Sequence, residues 1–279
     1  MNRMVRLVIA LVALMSVAAA AGAQAGTPPT AVPIRDNSFL IEEAYNQEFG
    51  VVQHISTFHR VRRAPGWEAT FTQEWPAPNE RHQLSYTVPV IRSPAVDGNH
   101  TGIGDVLLNY RFQVPMAPGS RTAASPRLSL VLPTGHDEWG QGSGALGVDV
   151  NLPLSIEFSP WLVSHSNLGG GWTPSARNEL GEEATARGVF IGQSLIWLAH
   201  PKFNVMLEAL WSRDESVVAN DRTAWTRSFL VSPGVRAAFD LPSGLQIVPG
   251  IAVPIGVGPS DGERGVFVYL SFEHPFRKQ

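Results

Sequence analysis

The chain has 279 residues, of which only 16% are charged, below the roughly 25% usual in soluble proteins. It contains no cysteine, which excludes disulfide bonds and zinc sites built on thiolates. Its 21 basic residues are outnumbered by 24 acidic ones, so the basic surface that nucleic-acid binding requires is absent.

Residues 1–25 have the pattern of a cleavable export signal. Arg3 and Arg6 precede the apolar stretch LVIALVALMSVAAAA, and Ala23-Gln24-Ala25 is a small-residue cleavage site. An uncleaved N-terminal membrane anchor is the alternative, but the following GTPPTAVP carries no stop-transfer charges. Cleavage would leave 19 basic and 24 acidic residues, a net charge of −5. We therefore expect export, with residues 26–48 forming a periplasmic lead-in or a short plug.

Beyond the signal, no apolar run approaches the roughly 18–20 residues that a transmembrane helix requires. The chain instead alternates, most clearly in GVDVNLPLSIEF (147–158), where every second residue from Val148 to Phe158 is apolar and the others are polar. In a soluble sandwich the apolar face would be the core. In a membrane barrel it would face lipid, with the polar face lining the lumen.

The same alternation predicts about twelve strands, an even number as in single-chain outer-membrane barrels. The clearest candidates are 83–91, 104–114, 147–158, 203–212, 229–240 and 264–276. Fainter candidates are 49–60, 67–76, 127–134, 161–172, 187–199 and 245–256. The predicted fold is an all-β, antiparallel, up-and-down transmembrane barrel over residues 49–279.

Connector lengths separate this barrel from a soluble periplasmic sandwich. Long connectors such as 135–145, 173–185 and 212–226 alternate with short ones such as 159–160 and 200–202. Outer-membrane barrels have long outer loops and short periplasmic turns. Only 115–126 breaks the alternation, so the connectors favour the barrel.

Two sets of side chains follow from this reading. Mid-strand residues on the polar parity are predicted to line the lumen and set its selectivity, or to pair and fill it: Asp105, Asn109, Arg111, Asp149, Asn151, Glu157, His165, Asn167, Glu208, Arg236 and Glu273. Aromatic residues near strand ends are predicted to form the interfacial girdles: Trp67, Trp75, Trp161, Trp172, Trp197, Trp211, Phe272 and Phe276.

Ser164-His165-Ser166 is the most enzyme-like stretch, because barrel lipid hydrolases place Ser and His on one strand face. Both serines are one residue from His165 and so point to the opposite face. A local dyad would need a bulge, and we predict no catalytic residue. Carboxylates at 136–138 and 214–215 are read as solvated clusters in outer loops rather than calcium sites, so no metal or other cofactor is expected.

Four segments together resemble the outer-membrane transporter family named after the meta-pathway of phenol degradation (MetA-type). They are FLIEEAYNQEFGVVQHI (39–55), GIGDVLLNYRF (102–112), RLSLVLPTG (127–135) and the closing VFVYLSFEHPF (266–276). The resemblance spans nearly the whole mature chain and rests on strand and turn patterns. It implies a barrel in the outer membrane that passes small aromatic or other apolar molecules.

The strand and connector patterns therefore predict a passive outer-membrane channel for small molecules, and the resemblance implies that these molecules are aromatic or otherwise hydrophobic. Its expected partners are the lipid bilayer, the barrel assembly machinery that reads the aromatic-ended last strand, and a small-molecule solute. A structural or adhesive barrel with a filled lumen is the main alternative, and a barrel hydrolase is the other. We predict no enzyme activity.

Overall fold

The fold is that of a computed structural model, which describes residues 37–62, 64–95 and 98–275. The predicted signal peptide, residues 26–36 of the predicted lead-in, and Phe276 lie outside the described residues. Within them, no helix is long and apolar enough to cross a membrane.

Apart from two 3-10 helices, Asp137–Trp139 and Gly258–Ser260, the regular secondary structure of the described residues consists of β-strands. The strands are β1 Val51–Val61, β2 Trp67–Pro76, β3 His82–Ala95, β4 Gly98–Ile103, β5 Val106–Phe112, β6 Thr122–Ala124, β7 Arg127–Leu132, β8 Gly147–Ser159, β9 Leu162–Arg177, β10 Glu183–His200, β11 Phe203–Ala219, β12 Arg222–Ala237, β13 Phe239–Asp240, β14 Gln246–Ala252, β15 Ile255–Gly256 and β16 Gly265–Pro275.

These strands close into one antiparallel ring. Because β4 and β5 both pair with β3, and β6 and β7 both pair with β8, each of these couples is a single barrel strand with a short break. The ring closes through pairing of β12 with β14, β14 with β16, and β16 with β1. The predicted twelve-stranded barrel is confirmed. Closure gives each barrel strand a partner on both sides over at least part of its length, as the interior of a bilayer requires of backbone groups.

Strand β8 shows which face is outside. Leu152 is 47% exposed and Phe158 is 54% exposed, whereas Asn151 and Ser155 on the other face are buried. The apolar parity therefore points outward, and the polar parity points into the ring. A continuous apolar outer surface is stable only against hydrocarbon.

The two ends of the barrel differ less than the sequence indicates. At the terminal end, where β1 begins and β16 ends, strands are joined through 77–81, 113–121, 160–161, 201–202 and 241–245. At the opposite end, here called the loop end, the long connection is 133–146.

The prediction that 173–185 and 212–226 are long connectors is wrong. Strands β9 and β10 continue to a turn at 178–182, and β11 and β12 continue to a two-residue turn at 220–221. Asp214 and Glu215 consequently lie within β11. In these extensions polar residues occur on both faces, so the hydrophobic alternation that marks a strand is lost. The backbone pairing continues nevertheless.

The predicted girdle residues divide between the two ends. Those near the terminal end are Trp75, Trp161, Trp197 and Phe272, and Trp67 begins β2 at the loop end. Trp172 and Trp211 lie inside β9 and β11 rather than near strand ends, because these strands are longer than predicted.

Candidate functional site in the barrel lumen

The inner wall is built from the polar parity. Seven residues predicted to line the lumen are at most 5% exposed: Asn109, Arg111, Asn151, His165, Asn167, Glu208 and Arg236. The other four, which are partly exposed, are Asp105, Asp149, Glu157 and Glu273. Inward side chains of adjacent strands lie side by side, so wall residues also form hydrogen bonds with one another. Asn109, for example, donates to Ser85 Oγ at 3.1 Å and accepts from Ser129 Oγ at 2.6 Å.

Residues 37–50, here called the lumen segment, lie inside this ring. Their contacts reach wall side chains on strands from all around the barrel, including Gln53 on β1, Asn167 on β9 and Glu208 on β11. Ser38, Ile41 and Ala44 are at most 2% exposed. A short stretch of mixed polar and apolar residues before the first strand therefore occupies part of the barrel interior.

The wall binds the lumen segment mainly through the backbone of the segment. Five backbone N–H groups donate to wall side-chain oxygens: Leu40 and Ile41 to Glu208 Oε1 (2.8 and 3.2 Å), Glu42 to Asn167 Oδ1 (2.8 Å), Ala44 to Ser155 Oγ (2.8 Å) and Gln47 to Gln83 Oε1 (2.7 Å). Two more donate to terminal-end connections: Asn46 to Gln113 Oε1 and Phe49 to Glu80 Oε1, both at 3.0 Å. Backbone groups buried in a barrel need such partners, and here the wall supplies them in place of a neighbouring strand.

Two guanidinium groups bind the segment's carbonyl groups. Arg111 donates to the carbonyl oxygen of Tyr45 at 2.6 Å and to that of Glu43 at 3.4 Å. Arg236 donates to the carbonyl oxygen of Asn37 at 2.7 Å. Side-chain pairs add to this, among them the Tyr45 hydroxyl donating to Glu157 at 3.2 Å. Charged wall residues thus anchor the start and the middle of the segment.

The lumen also has an apolar sector, which the sequence prediction missed. Its buried members are Phe39, Ile55, Val163, Ile196, Met206, Ala238, Val248, Ala252, Phe267 and Tyr269. All but Phe39 belong to the barrel wall or, for Ala238, to its end. Alternation gives Met206 the parity of Glu208, and Phe267 and Tyr269 that of Glu273, but only the polar residues of that parity were predicted to line the lumen. The lumen is therefore amphipathic, with apolar side chains from β1, β9, β10, β11, β14 and β16 beside polar side chains from strands around the ring.

Glycines in the wall make room for two apolar side chains of the lumen segment. A Cβ atom at Gly234 or Gly250 would overlap the ring of Phe39, and one at Gly192 would overlap Ile41. Phe267 and Tyr269 flank the Phe39 ring, with ring centroids 5.8 and 5.6 Å away. The segment is thus fitted to the wall by shape as well as by hydrogen bonds.

His165 has a serine partner on the adjacent strand. Ser155 of β8 is directly opposite His165 of β9, and Ser155 Oγ is 2.7 Å from His165 Nδ1. Sequence spacing could exclude Ser164 and Ser166, which bind Gln193, but not a cross-strand partner. Ser155 Oγ also accepts the N–H of Ala44. The pair therefore serves to hold the lumen segment.

The remaining predicted residues have local partners. Asp105 Oδ1 accepts the N–H of Gly135 at 3.0 Å, and Oδ2 accepts the N–H and the hydroxyl of Ser143 at 2.7 Å each. This carboxylate therefore fastens the 133–146 connection to the loop-end mouth. Asp149 interacts electrostatically with Arg127, and Glu273 lies opposite Gln53 across β1 and β16.

Comparison with known proteins finds similarity to solved structures but not to family models or curated sequences. No protein-family model matches the sequence, and no curated protein does. An outer membrane channel from Pseudomonas putida F1 has a TM-score of 0.60 at 13% identity, and the match covers 83% of this chain and 97% of that one.

Two further structures are more distant. The CymD monoaromatic hydrocarbon channel has a TM-score of 0.43 at 8% identity, covering 83% of this chain and 90% of that one. The outer membrane protein Omp33 of Acinetobacter baumannii has a TM-score of 0.38 at 10% identity, covering 84% and 100%. The first likeness establishes the fold, to which the other two add nothing. This chain therefore has the closed antiparallel β-barrel fold of that channel.

Proposed function

We propose that the protein is an outer-membrane channel for the passive passage of small molecules, and that the lumen segment is a plug that closes it at rest. The observation that carries the proposal is how the segment is bound. The hydrogen bonds of its backbone end on wall side chains, while the wall strands are paired with one another in a complete ring. The segment can therefore leave without breaking the barrel's own ladder.

The amphipathic lumen supports small aromatic or other apolar solutes as the cargo. Ile55, Met206 and Phe267 offer an apolar surface on one side, and Arg111 with Asn109 offers a polar surface on the other. Membership in the phenol meta-pathway transporter family, which rests on the four segments quoted above, is part of the same proposal. The name of the similar Pseudomonas putida protein, a channel, is in keeping with it.

Planar-bilayer conductance tests the proposal. We expect long closed periods for the whole mature chain and sustained current for a variant that lacks residues 26–48. Folding of both proteins is checked by heat-modifiable migration in gels. If the folded deletion variant passes no current and no small solute into liposomes, the barrel has a structural or adhesive function instead.

The Ser155–His165 pair keeps a hydrolase as the second candidate. A serine-directed fluorophosphonate probe distinguishes the two functions. On the channel proposal the probe labels neither the wild type nor the deletion variant. Labelling that Ser155→Ala abolishes would favour the hydrolase.

A further inference from the structure

The binding place of the Phe39 ring is a preformed site in the wall. Gly234 on β12 and Gly250 on β14 lie under the ring, because these strands are adjacent and pair at Gly234 with Ala252 and at Arg236 with Gly250. Phe267 and Tyr269 of β16 complete the sides at centroid distances typical of aromatic pairs. Phe39 itself is 7% exposed.

The residues that surround the Phe39 ring all belong to the barrel, whereas Phe39 itself belongs to the lumen segment. When the plug leaves, the glycine floor and the two aromatic walls stay in place, because barrel hydrogen bonds position them. Exposing this apolar hollow to water is unfavourable, so a ligand that fills it is stabilised by burial. Its width suits a flat six-membered ring, since added Cβ atoms on its floor would overlap the Phe39 ring at its Cε1 and Cε2 edges.

We infer that this hollow is a binding site for a monocyclic aromatic ring of the solute, and that the solute opens the channel by competing with Phe39 for it. The inference rests on the proposed function for the opening step, but not for ring binding. A ligand shifts an equilibrium only by its preference for one state, and here the preference is complete because the ring and Phe39 cannot share the site.

Ring binding is tested first, in the full-length protein in detergent, with p-cresol as the probe. Phe39→Ala empties the hollow, and Phe39→Ala/Gly250→Ala refills part of it with a methyl group whose nearest remaining neighbour is Arg236 Cβ at 3.3 Å. Phe49→Ala is the matched control, since Phe49 is in the same segment but 48% exposed. We expect saturable p-cresol binding to Phe39→Ala, weakened about tenfold or more in the double variant.

Opening is tested second, by bilayer recordings with p-cresol and with the non-planar 4-methylcyclohexanol. We expect p-cresol to raise the open fraction of the wild type and 4-methylcyclohexanol to have little effect. In Phe39→Ala the basal open fraction rises and the p-cresol response disappears, because the ligand no longer displaces anything.

The outcomes separate the two ideas. Equal p-cresol binding by Phe39→Ala, its Gly250→Ala double variant and Phe49→Ala would overturn the ring site. A wild-type channel that opens and closes without regard to p-cresol would overturn the competition. If no variant conducts while Phe39→Ala still binds p-cresol selectively, the channel proposal fails and the ring site stands.

Discussion

The side-chain amide of Asn167 binds both backbone polar groups of Glu42. Asn167 Oδ1 accepts the N–H of Glu42, and Asn167 Nδ2 donates to its carbonyl oxygen, both at 2.8 Å. This is the pairing that a neighbouring strand would provide, supplied here by one side chain of the wall. The lumen segment is therefore bound like an additional strand, but by groups that can release it.

Replacing Asn167 should favour the open channel. Asn167→Leu removes both hydrogen bonds, which together contribute about 2 kcal/mol, or about thirtyfold in the ratio of open to closed states. The measurement is the open fraction in planar bilayers. Ser166→Ala is the matched control, because Ser166 lies on the outer face and binds Gln193. Equal open fractions for both variants would contradict a role for Asn167 in closure.

Glu208 should show a graded effect. Its Oε1 atom accepts two backbone N–H groups, from Leu40 and Ile41. Glu208→Ala leaves both donors without this acceptor, and we expect the open fraction to rise about a hundredfold. Glu208→Gln keeps an oxygen in the same place and should remain close to the wild type. The idea fails if the alanine variant stays as closed as the glutamine variant.

A disulfide should lock the segment in place. The hydroxyl oxygens of Ser38 and Ser194 are 2.8 Å apart, which is compatible with the short Cβ–Cβ separation of a disulfide. The chain has no cysteine, so Ser38→Cys/Ser194→Cys adds only this pair. We expect the oxidised variant to stay closed and to recover its openings with a reductant. Each single cysteine variant should behave as the wild type in both conditions.

A charge on the outer face of β8 should weaken membrane insertion. Leu152→Arg places a guanidinium against hydrocarbon, at a cost of about 2–4 kcal/mol near the bilayer midplane. Unfolding in urea from lipid vesicles measures this loss, with Leu152→Ala as the control for lost side-chain volume. Equal stability of the two variants would argue against a lipid-facing β8.

Asp105 should hold the 133–146 connection without supporting the barrel. Asp105→Ala removes the acceptor of three hydrogen bonds from Gly135 and Ser143. We expect faster cleavage of that connection by protease added to intact cells, with unchanged thermal stability of the barrel. Glu138→Ala is the control, because the Glu138 side chain is exposed and its pairing with His136 contributes little. Faster cleavage in the Glu138 variant as well would remove Asp105 as the specific anchor.

Local alternation was enough to predict the barrel and the direction of its faces. Side chains alternate with a period of two on any strand, so Asn151 and Leu152 had to lie on opposite faces, and a bilayer decides which face is apolar. The same rule placed Arg111, Asn167 and Glu208 on the inner wall.

Only the tertiary structure decided what lies inside. The pairing of Ser155 with His165 depends on the register between β8 and β9, which neither strand specifies by itself. The extension of β9 to β12 beyond the apolar pattern has the same origin, since backbone ladders do not require alternation. The sequence of the lumen segment has no periodic pattern that would indicate its position. Its backbone is held by side chains far away in the sequence, and only the folded barrel brings these together. The alternating pattern of a single strand shows which of its faces lies against lipid, whereas the arrangement inside the lumen depends on contacts between residues distant in the sequence.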